Sequence, residues 1–387
     1  MYKIQTLNKI SPKGLDRFPR DSYEVASEFS SPDAIIVRSF KMHDMEFSEN
    51  LKAIGRAGAG VNNIPIDRCS KEGIVVFNTP GANANAVKEL VLTGLLLSSR
   101  DIIGGVNWVE SLSDKDDISK LVEKGKSNFA GNEIKGKTLG VIGLGAIGAL
   151  VANSAIELGM SVIGYDPYLS VDSAWELSSR IQKATGLETL LSQVDYISIH
   201  VPLLDSTKDM FNSRTFAMMR DGVKIMNFAR GGLVNNSDIK DAIANGKVSF
   251  YVTDFPSSDL IGVGGVIQIP HLGASTIESE DNCAIMAVDE IKDYLENGNI
   301  RNSVNFPKCY LSKKINEKRI TVSNRNIPNM ISKLSSTLAK HNINISDMLN
   351  KSRGEVAYSI IDVNGNITQD LVDELKEIDG VIRVRVI

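Results

Sequence analysis

KTLGVIGLGAIGALVANSAIELGMSVIGYD, residues 137–166, decides how the rest of the chain is read. Thr138 to Ile142 is a short apolar run ending at Gly143. Ser161 to Tyr165 is a second, ending at Asp166. Between them GLGAIG, Gly143 to Gly148, opens a helical pattern. Strand, glycine turn, helix and strand make the unit that holds a dinucleotide. Gly143 permits the tight turn, Gly145 lets a pyrophosphate approach, and Gly148 lets the helix pack on the strand. The first helical turn, with Ala146 and Ile147, turns free N–H groups and a positive dipole end toward the phosphates. Asp166 stands at the spacing where a ribose 2′-hydroxyl is accepted. Its charge opposes a 2′-phosphate, and no Arg follows it directly, so the pattern predicts NAD over NADP. A glycine turn alone is a weak signal; set between two strands with an acid at this distance it is specific.

A chain of 387 residues has room for two or three domains. With 42% hydrophobic and 23% charged residues and a net charge of −4, the composition is globular, and no global basic surface recruits nucleic acid or an anionic membrane. No apolar run reaches membrane-spanning length, and the start, MYKIQTLNKI, lacks a signal-peptide core. Cys69, Cys283 and Cys309 form no metal-ligand pattern and predict a reducing, cytoplasmic setting without a metal. Four histidines, His43, His200, His271 and His341, keep the search for a catalytic base short.

Before the dinucleotide motif, Ile35–Val37, Ala53–Gly55 and Val75–Phe77 read as buried parallel strands. Glycine segments follow two of them, at Ala57–Gly60 and Thr79–Asn83, where ligands of open α/β sheets gather. Asn85 to about Trp108 reads as one long helix, suited to bridge two lobes. Lys115 to Gly131 reads as a surface loop or short helix. After Asp166, four apolar strands end at polar residues: Tyr196–Ile199 at His200, Val223–Asn227 near Arg230, Val248–Val252 at Asp254, and GVIQ at Pro270–His271. In a doubly wound sheet these ends lie in one row above the cofactor. Asp281–Asn297 reads as a helix stopped by Gly298, and Asn299–Lys314 as a connector. The last segment reads strand, helix, strand, strand, helix, strand: Arg319–Ser323, Pro328–His341, Ile343–Lys351, Glu355–Val363, Thr368–Ile378 and Val381–Ile387. That is a split β-α-β unit of ferredoxin-like type.

The motifs GRAGAGVNNI (Gly55–Ile64), GLGAIG, HVPL (His200–Leu203), NFARGG (Asn227–Gly232), the Asp254 strand end, PHLGAST (Pro270–Thr276) and NFP (Asn305–Pro307) come in a familiar order. With them the chain resembles the D-isomer-specific 2-hydroxyacid dehydrogenase family over essentially its whole length, and within it the branch that acts on D-3-phosphoglycerate. The resemblance implies an α/β fold: a Rossmann-type doubly wound sheet at 99–275, inserted in a flavodoxin-like substrate-binding domain at 1–98 and 276–316. It implies a ferredoxin-like ACT domain at 317–387. It further implies NAD-dependent oxidation of D-3-phosphoglycerate to 3-phosphohydroxypyruvate, the first step of the phosphorylated route to L-serine, by a homodimer or homotetramer. Two other readings are another D-2-hydroxyacid dehydrogenase, such as a glyoxylate or hydroxypyruvate reductase, and a non-catalytic NAD-sensing scaffold.

Taking hydride from a secondary alcohol requires a base for the hydroxyl proton, and histidine titrates near working pH. His271, after a strand end and fixed by Pro270, is the candidate. Arg230 offers a carboxylate two parallel donors and polarises the neighbouring oxygen. The matching motifs place Val201, Phe228, Ala229, Arg230, Asp254, His271, Gly273 and Ala274 along the cofactor. The family holds the histidine with a Glu five residues beyond the Asp that matches Asp254. Here that position is Asp259, one methylene shorter, and the resemblance gives it that role. Substrate is expected at Arg38 and at the N–H groups of Gly58, Ala59 and Gly60. Asn62 stands where an Asp is common. In the terminal domain Asn326 and Asn344 match asparagines that bind L-serine in some members, while Asn329 replaces a glycine of the ligand loop.

Overall fold

The computed structural model describes residues 1–313 and 317–387. The chain divides into two compact units, residues 1–83 with 277–387, and residues 84–276.

In the first unit β1 (Tyr2–Leu7), β2 (Tyr23–Ala26), β3 (Ala34–Val37), β4 (Ala53–Arg56) and β5 (Val75–Phe77) form a parallel sheet in the order β2-β1-β3-β4-β5. That is the flavodoxin-like winding. The three apolar runs are the strands β3 to β5. The sheet adds β1 and β2, whose mixed sequences YKIQTL and YEVA carry no apolar run although β1 lies inside the sheet. Helix Ile277–Asn297 covers the sheet with Cys283, Ala284, Ala287, Val288, Ile291, Tyr294 and Leu295. It begins four residues before the expected Asp281. The NFP motif finishes the sheet: Asn305 Oδ1 accepts from Val76 N at 2.9 Å and its Nδ2 donates to Ile74 O at 2.9 Å, so one amide pairs the β5 edge as a strand would.

The terminal segment has β13 (Lys318–Arg325), β14 (Asn344–Arg353), β15 (Val356–Asn364) and β16 (Val381–Val386), with helices Met330–Lys340 and Gln369–Glu377. Its antiparallel sheet runs β14-β15-β13-β16, the ferredoxin-like order. It packs with the rest of its unit. Tyr358 and Ile360 join the core of the first sheet, and Tyr358 OH donates to Gly298 O at 2.8 Å. Arg385 lies 4.4 Å over the Tyr294 ring and donates to the carbonyls of Tyr294 and Leu295 at 3.2 and 3.0 Å. Arg319, fully buried, forms two bonds to Asp362 at 2.6 and 2.8 Å and two more to the carbonyls of Asn297 and Leu311. The end of the expected connector, Lys314, and the expected boundary at 316 lie outside the described residues.

In the second unit β6 (Thr138–Ile142), β7 (Ser161–Tyr165), β8 (Gln182–Lys183), β9 (Tyr196–Ile199), β10 (Val223–Asn227), β11 (Val248–Thr253) and β12 (Val266–Gln268) run parallel in the order β12-β11-β10-β9-β6-β7-β8. The chain leaves β6 toward β7 on one side and returns to β9 on the other. The winding therefore reverses between β6 and β9, the crevice where such sheets take ligands. The expected single helix over 85–108 is two: Ala84–Ser99 and Ile102–Glu110. Asp101 divides them, because its carboxylate accepts from Gly104 N at 2.9 Å and caps a new helix. Lys115–Gly131 holds a helix, Ile118–Gly125, and a 3-10 turn, Lys126–Phe129.

Candidate cofactor and active site

Gly143 leaves β6 at φ 87, a conformation glycine adopts without strain. A Cβ there would meet His200 O, at the end of β9, at 2.6 Å. The two strand ends at the reversal thus touch backbone to backbone, and His200 N donates to Ile142 O at 2.7 Å. A Cβ on Gly148 would stand 1.9 Å from Gly143 O, whereas one on Gly145 would have nothing within 4 Å. The glycines therefore divide as expected, with Gly148 for packing and Gly145 for an open approach. Helix Ala146–Glu157 starts there, with Ala146 and Ile147 in its first turn. These residues fit a dinucleotide pyrophosphate: a clear approach, and N–H groups at a helix start.

Asp166 ends β7. Its Oδ2 accepts from Leu144 N at 2.9 Å and its Oδ1 from Tyr168 N at 2.8 Å. The carboxylate braces the glycine turn, and each oxygen keeps a lone pair for a ribose hydroxyl. Asp166→Ala is expected to weaken NAD binding about tenfold or more, the worth of hydrogen bonds to a charged group, and to narrow the preference over NADP. Titration of the variant with both cofactors checks it; an unchanged ratio contradicts the ribose role.

Beyond β10, Phe228 is buried and Ala229 half-buried. Asn227, fully buried, holds the loop. Its Nδ2 donates to Arg230 O at 2.9 Å and its Oδ1 accepts from Ala229 N at 3.2 Å. Sequence reasoning placed Asn227 within its motif and gave it no role; a buried amide at a strand end was the available signal. Arg230 is exposed, with Nη1 donating to Ala229 O at 2.7 Å, which leaves the other donors of its fork for a ligand.

Asp254, after β11, is 1% exposed. Its Oδ2 accepts from Gly273 N at 2.9 Å, and its Oδ1 is buried without a hydrogen-bond partner among the described residues. Burial raises its pKa, while the Gly273 N–H and the charges of His271 and Arg230 act the other way. His271 N donates to Asp254 O at 3.0 Å. Its backbone is held at φ 28, in the left-handed region, and the Phe255 ring lies 4.8 Å from its imidazole. Asp254 thus gathers Gly273 and His271, with Ala274 following half-buried, and its charge couples to Arg230. His200 is a different histidine. Burial lowers it to about 3, so it stays neutral, 2.7 Å from Ser198 Oγ.

The structure does not bring Asp259 to His271. Asp259 is exposed in the turn Ser258–Leu260, where its N–H donates to Ser257 Oγ, and among the described residues no ion pair joins it to the imidazole. Ser257 is itself fixed, accepting from Asn236 and donating its N–H to Gln268 Oε1 at 2.6 Å. The turn is thus anchored at Ser257, and among the described residues no bond shows Asp259 orienting His271.

In the first unit Arg38 Nη1 pairs with Glu280 Oε1 at 2.7 Å. The Gly58 loop is tied by Thr79 N to Gly58 O and by Asn78 Nδ2 to Ala59 O, and Gly58 sits at φ 147. The N–H groups of Ala59 and Gly60 make no hydrogen bond among the described residues. Asn326 Nδ2 donates to Gly354 O, at the end of β13, whereas Asn344 begins β14. Both strands are antiparallel to β15 and so parallel to each other, which sets the two asparagines at opposite ends of one sheet.

A family model for the D-isomer specific 2-hydroxyacid dehydrogenase NAD binding domain matches residues 101–273. The chain is 32% identical over 357 residues to a D-3-phosphoglycerate dehydrogenase of Haemophilus influenzae, covering 89% of this chain and 83% of that protein. It is 34% identical over 329 residues to one of Archaeoglobus fulgidus, covering 79% of this chain and 59% of the relative. The crystal structure of NAD+-bound 3-phosphoglycerate dehydrogenase from Entamoeba histolytica aligns with a TM-score of 0.61 at 26% identity, over 79% of this chain and 98% of that one.

Proposed function

The chain belongs to the D-isomer specific 2-hydroxyacid dehydrogenase family, and from that premise we propose that it oxidises D-3-phosphoglycerate to 3-phosphohydroxypyruvate with NAD. The observation that carries the chemistry is the Asp254 centre, which gathers His271 by its backbone and couples electrostatically to Arg230. The substrate class is supported by relatives named for this activity, at 32 and 34% identity. Bound NAD supplies the hydride acceptor. Gly143 to Gly148 hold its pyrophosphate and Asp166 its ribose, with Val201, Phe228, Ala229, Gly273 and Ala274 along its length. Arg230 grips the α-carboxylate, and His271 takes the hydroxyl proton. By the family resemblance Arg38 and the N–H groups of Ala59 and Gly60 are the substrate-binding groups of the first unit, Arg38 exchanging Glu280 for phosphate, whereas the Gly58 N–H expected to join them donates to Arg56 O at 2.8 Å.

Arg230→Lys is expected to lower kcat/KM at least tenfold, because an ammonium cannot reproduce the planar two-donor grip; unchanged steady-state kinetics contradict it. The test of the whole reading is reduction of NAD with D-3-phosphoglycerate against D-lactate and D-glycerate. The phosphorylated acid is expected to be preferred. Preference for an unphosphorylated acid points to another dehydrogenase of the family, and no reduction with any acid to a non-catalytic protein.

Self-association is part of the same proposal. Helix Ile102–Glu110 buries no residue, and Ile102, Val106 and Val109 expose one apolar face. The ferredoxin-like tail is read as an ACT domain with L-serine as effector. Since Asn326 and Asn344 lie at opposite ends of one sheet, a serine touching both requires two chains. A reducing, cytoplasmic setting accords with three buried free cysteines, Cys69 and Cys309 pushed up to about 12 by burial. Among the described residues no helix is long and apolar enough to cross a membrane.

A further inference from the structure

Helix Ile277–Asn297 sets Ile285, Met286, Asp289 and Asp293 along one face at helical spacing. With Glu290 and Arg301 they line a cavity of about 640 Å³ within the first unit. Glu290 is 7% exposed. Its Oε1 accepts from Asn302 Nδ2 at 2.6 Å, while its Oε2 is buried without a partner among the described residues. Asp293 Oδ2 is buried and unpartnered in the same sense. Arg301 Nε stands 3.3 Å from it without hydrogen-bond alignment, and the Arg301 guanidinium stacks on Tyr310. Buried polar atoms in folded proteins are paired almost without exception. Glu290 Oε2, without a partner, beside Asp293 Oδ2, held by an ion pair alone, is therefore a chemical signature.

Asp289 is paired with Arg17 at 2.7 Å and Asp293 with Arg301 at 3.3 Å, which leaves Glu290 as the acid of this wall without a cation among the described residues. Among the described residues no group of three or more His, Cys, Asp or Glu is placed to hold a metal ion. The cation must bring N–H donors of its own. Ile285 and Met286 add an apolar wall, and the volume exceeds what a bare ammonium needs. We propose that this cavity binds a small organic ammonium ion with a short aliphatic chain. Its N–H groups satisfy Glu290 Oε2 and Asp293 Oδ2, and its methylenes lie on Ile285 and Met286.

Burial raises Glu290 to about 8, with Asp289 acting the same way and Asn302 and Arg301 against it; the loop at Gly81 and Ala82 brings no charge. At pH 7 the group is mostly protonated, and an incoming ammonium expels that proton. The test is isothermal titration calorimetry of the full chain with n-butylammonium chloride, at constant ionic strength, in two buffers of different ionisation enthalpy. Saturable binding with release of close to one proton is expected. Glu290→Gln should weaken binding at least tenfold and abolish the proton release. Asp289→Asn, which removes a half-exposed charge, should weaken binding about threefold and leave the release intact. Circular dichroism and thermal unfolding of each variant report that it is folded. No saturable heat from the wild type, equal binding by Glu290→Gln, or displacement of the amine by magnesium chloride with the same proton release would overturn the proposal.

Discussion

His271→Ala should bind NAD as the wild type does and turn over at least about 10²-fold more slowly, the usual contribution of a positioned general base. Oxidation needs a group that receives the hydroxyl proton, and the alanine side chain offers none. Three features fix the ring's place: the bond from its N–H to Asp254 O, the left-handed backbone at φ 28, and the Phe255 ring beside it. The backbone features survive in alanine, so the loss reports the imidazole and not the loop. A turnover number close to that of the wild type refutes the assignment. Phe255→Ala serves as the companion, keeping the imidazole and removing its support. It should raise KM or lower kcat by less than His271→Ala does.

The second large effect is on stability. Arg319→Ala should destabilise the first unit by about 3–5 kcal/mol, because it strands Asp362 as an unpaired buried charge. Both side chains are essentially inaccessible, 0 and 1% exposed, and Arg319 also satisfies the carbonyls of Asn297 and Leu311. It therefore ties the terminal sheet to the end of the helix that covers the first sheet. Replacing both members together, Arg319→Met with Asp362→Leu, should recover much of the loss, since well-packed apolar pairs often equal a buried ion pair. Urea unfolding followed by circular dichroism measures both. A loss below about 1 kcal/mol, the worth of a surface pair, shows that Asp362 finds another partner.

Both large effects fall on residues with different visibility in the sequence. His271 stands out because each strand of a doubly wound sheet is a run of apolar residues, and the residue beyond its end is polar only where a site needs it. The strands ending at Gly143, Asp166, His200, Arg230 and Asp254 all appear in the residue order alone. Arg319 does not. It sits inside a strand pattern, and nothing local distinguishes a buried guanidinium from one facing water. The break between Ser99 and Ile102 was hidden because both sides keep a helical apolar spacing, and the cap is one Asp101 carboxylate. β1 was hidden because YKIQTL carries no apolar run of the kind that marks an inner strand of a parallel sheet. Asp259 shows the limit of spacing: its position along the chain matches a family role, but Ser257 anchors the turn, and among the described residues the imidazole has no ion pair with it. Glu290 reads as an ordinary helix carboxylate, and only packing reveals that one of its oxygens is unpaired.

The central claim is hydride transfer from the substrate carbon to NAD with the hydroxyl proton leaving separately. The direct measurement supplies D-3-phosphoglycerate carrying deuterium at C2 and follows the label in the reduced cofactor by mass spectrometry. The account predicts one deuterium in each reduced nicotinamide, 3-phosphohydroxypyruvate formed in equal amount, and a slower turnover than with the unlabelled acid. Reduced cofactor without the label, or no reduction by a chain that binds NAD, would contradict it.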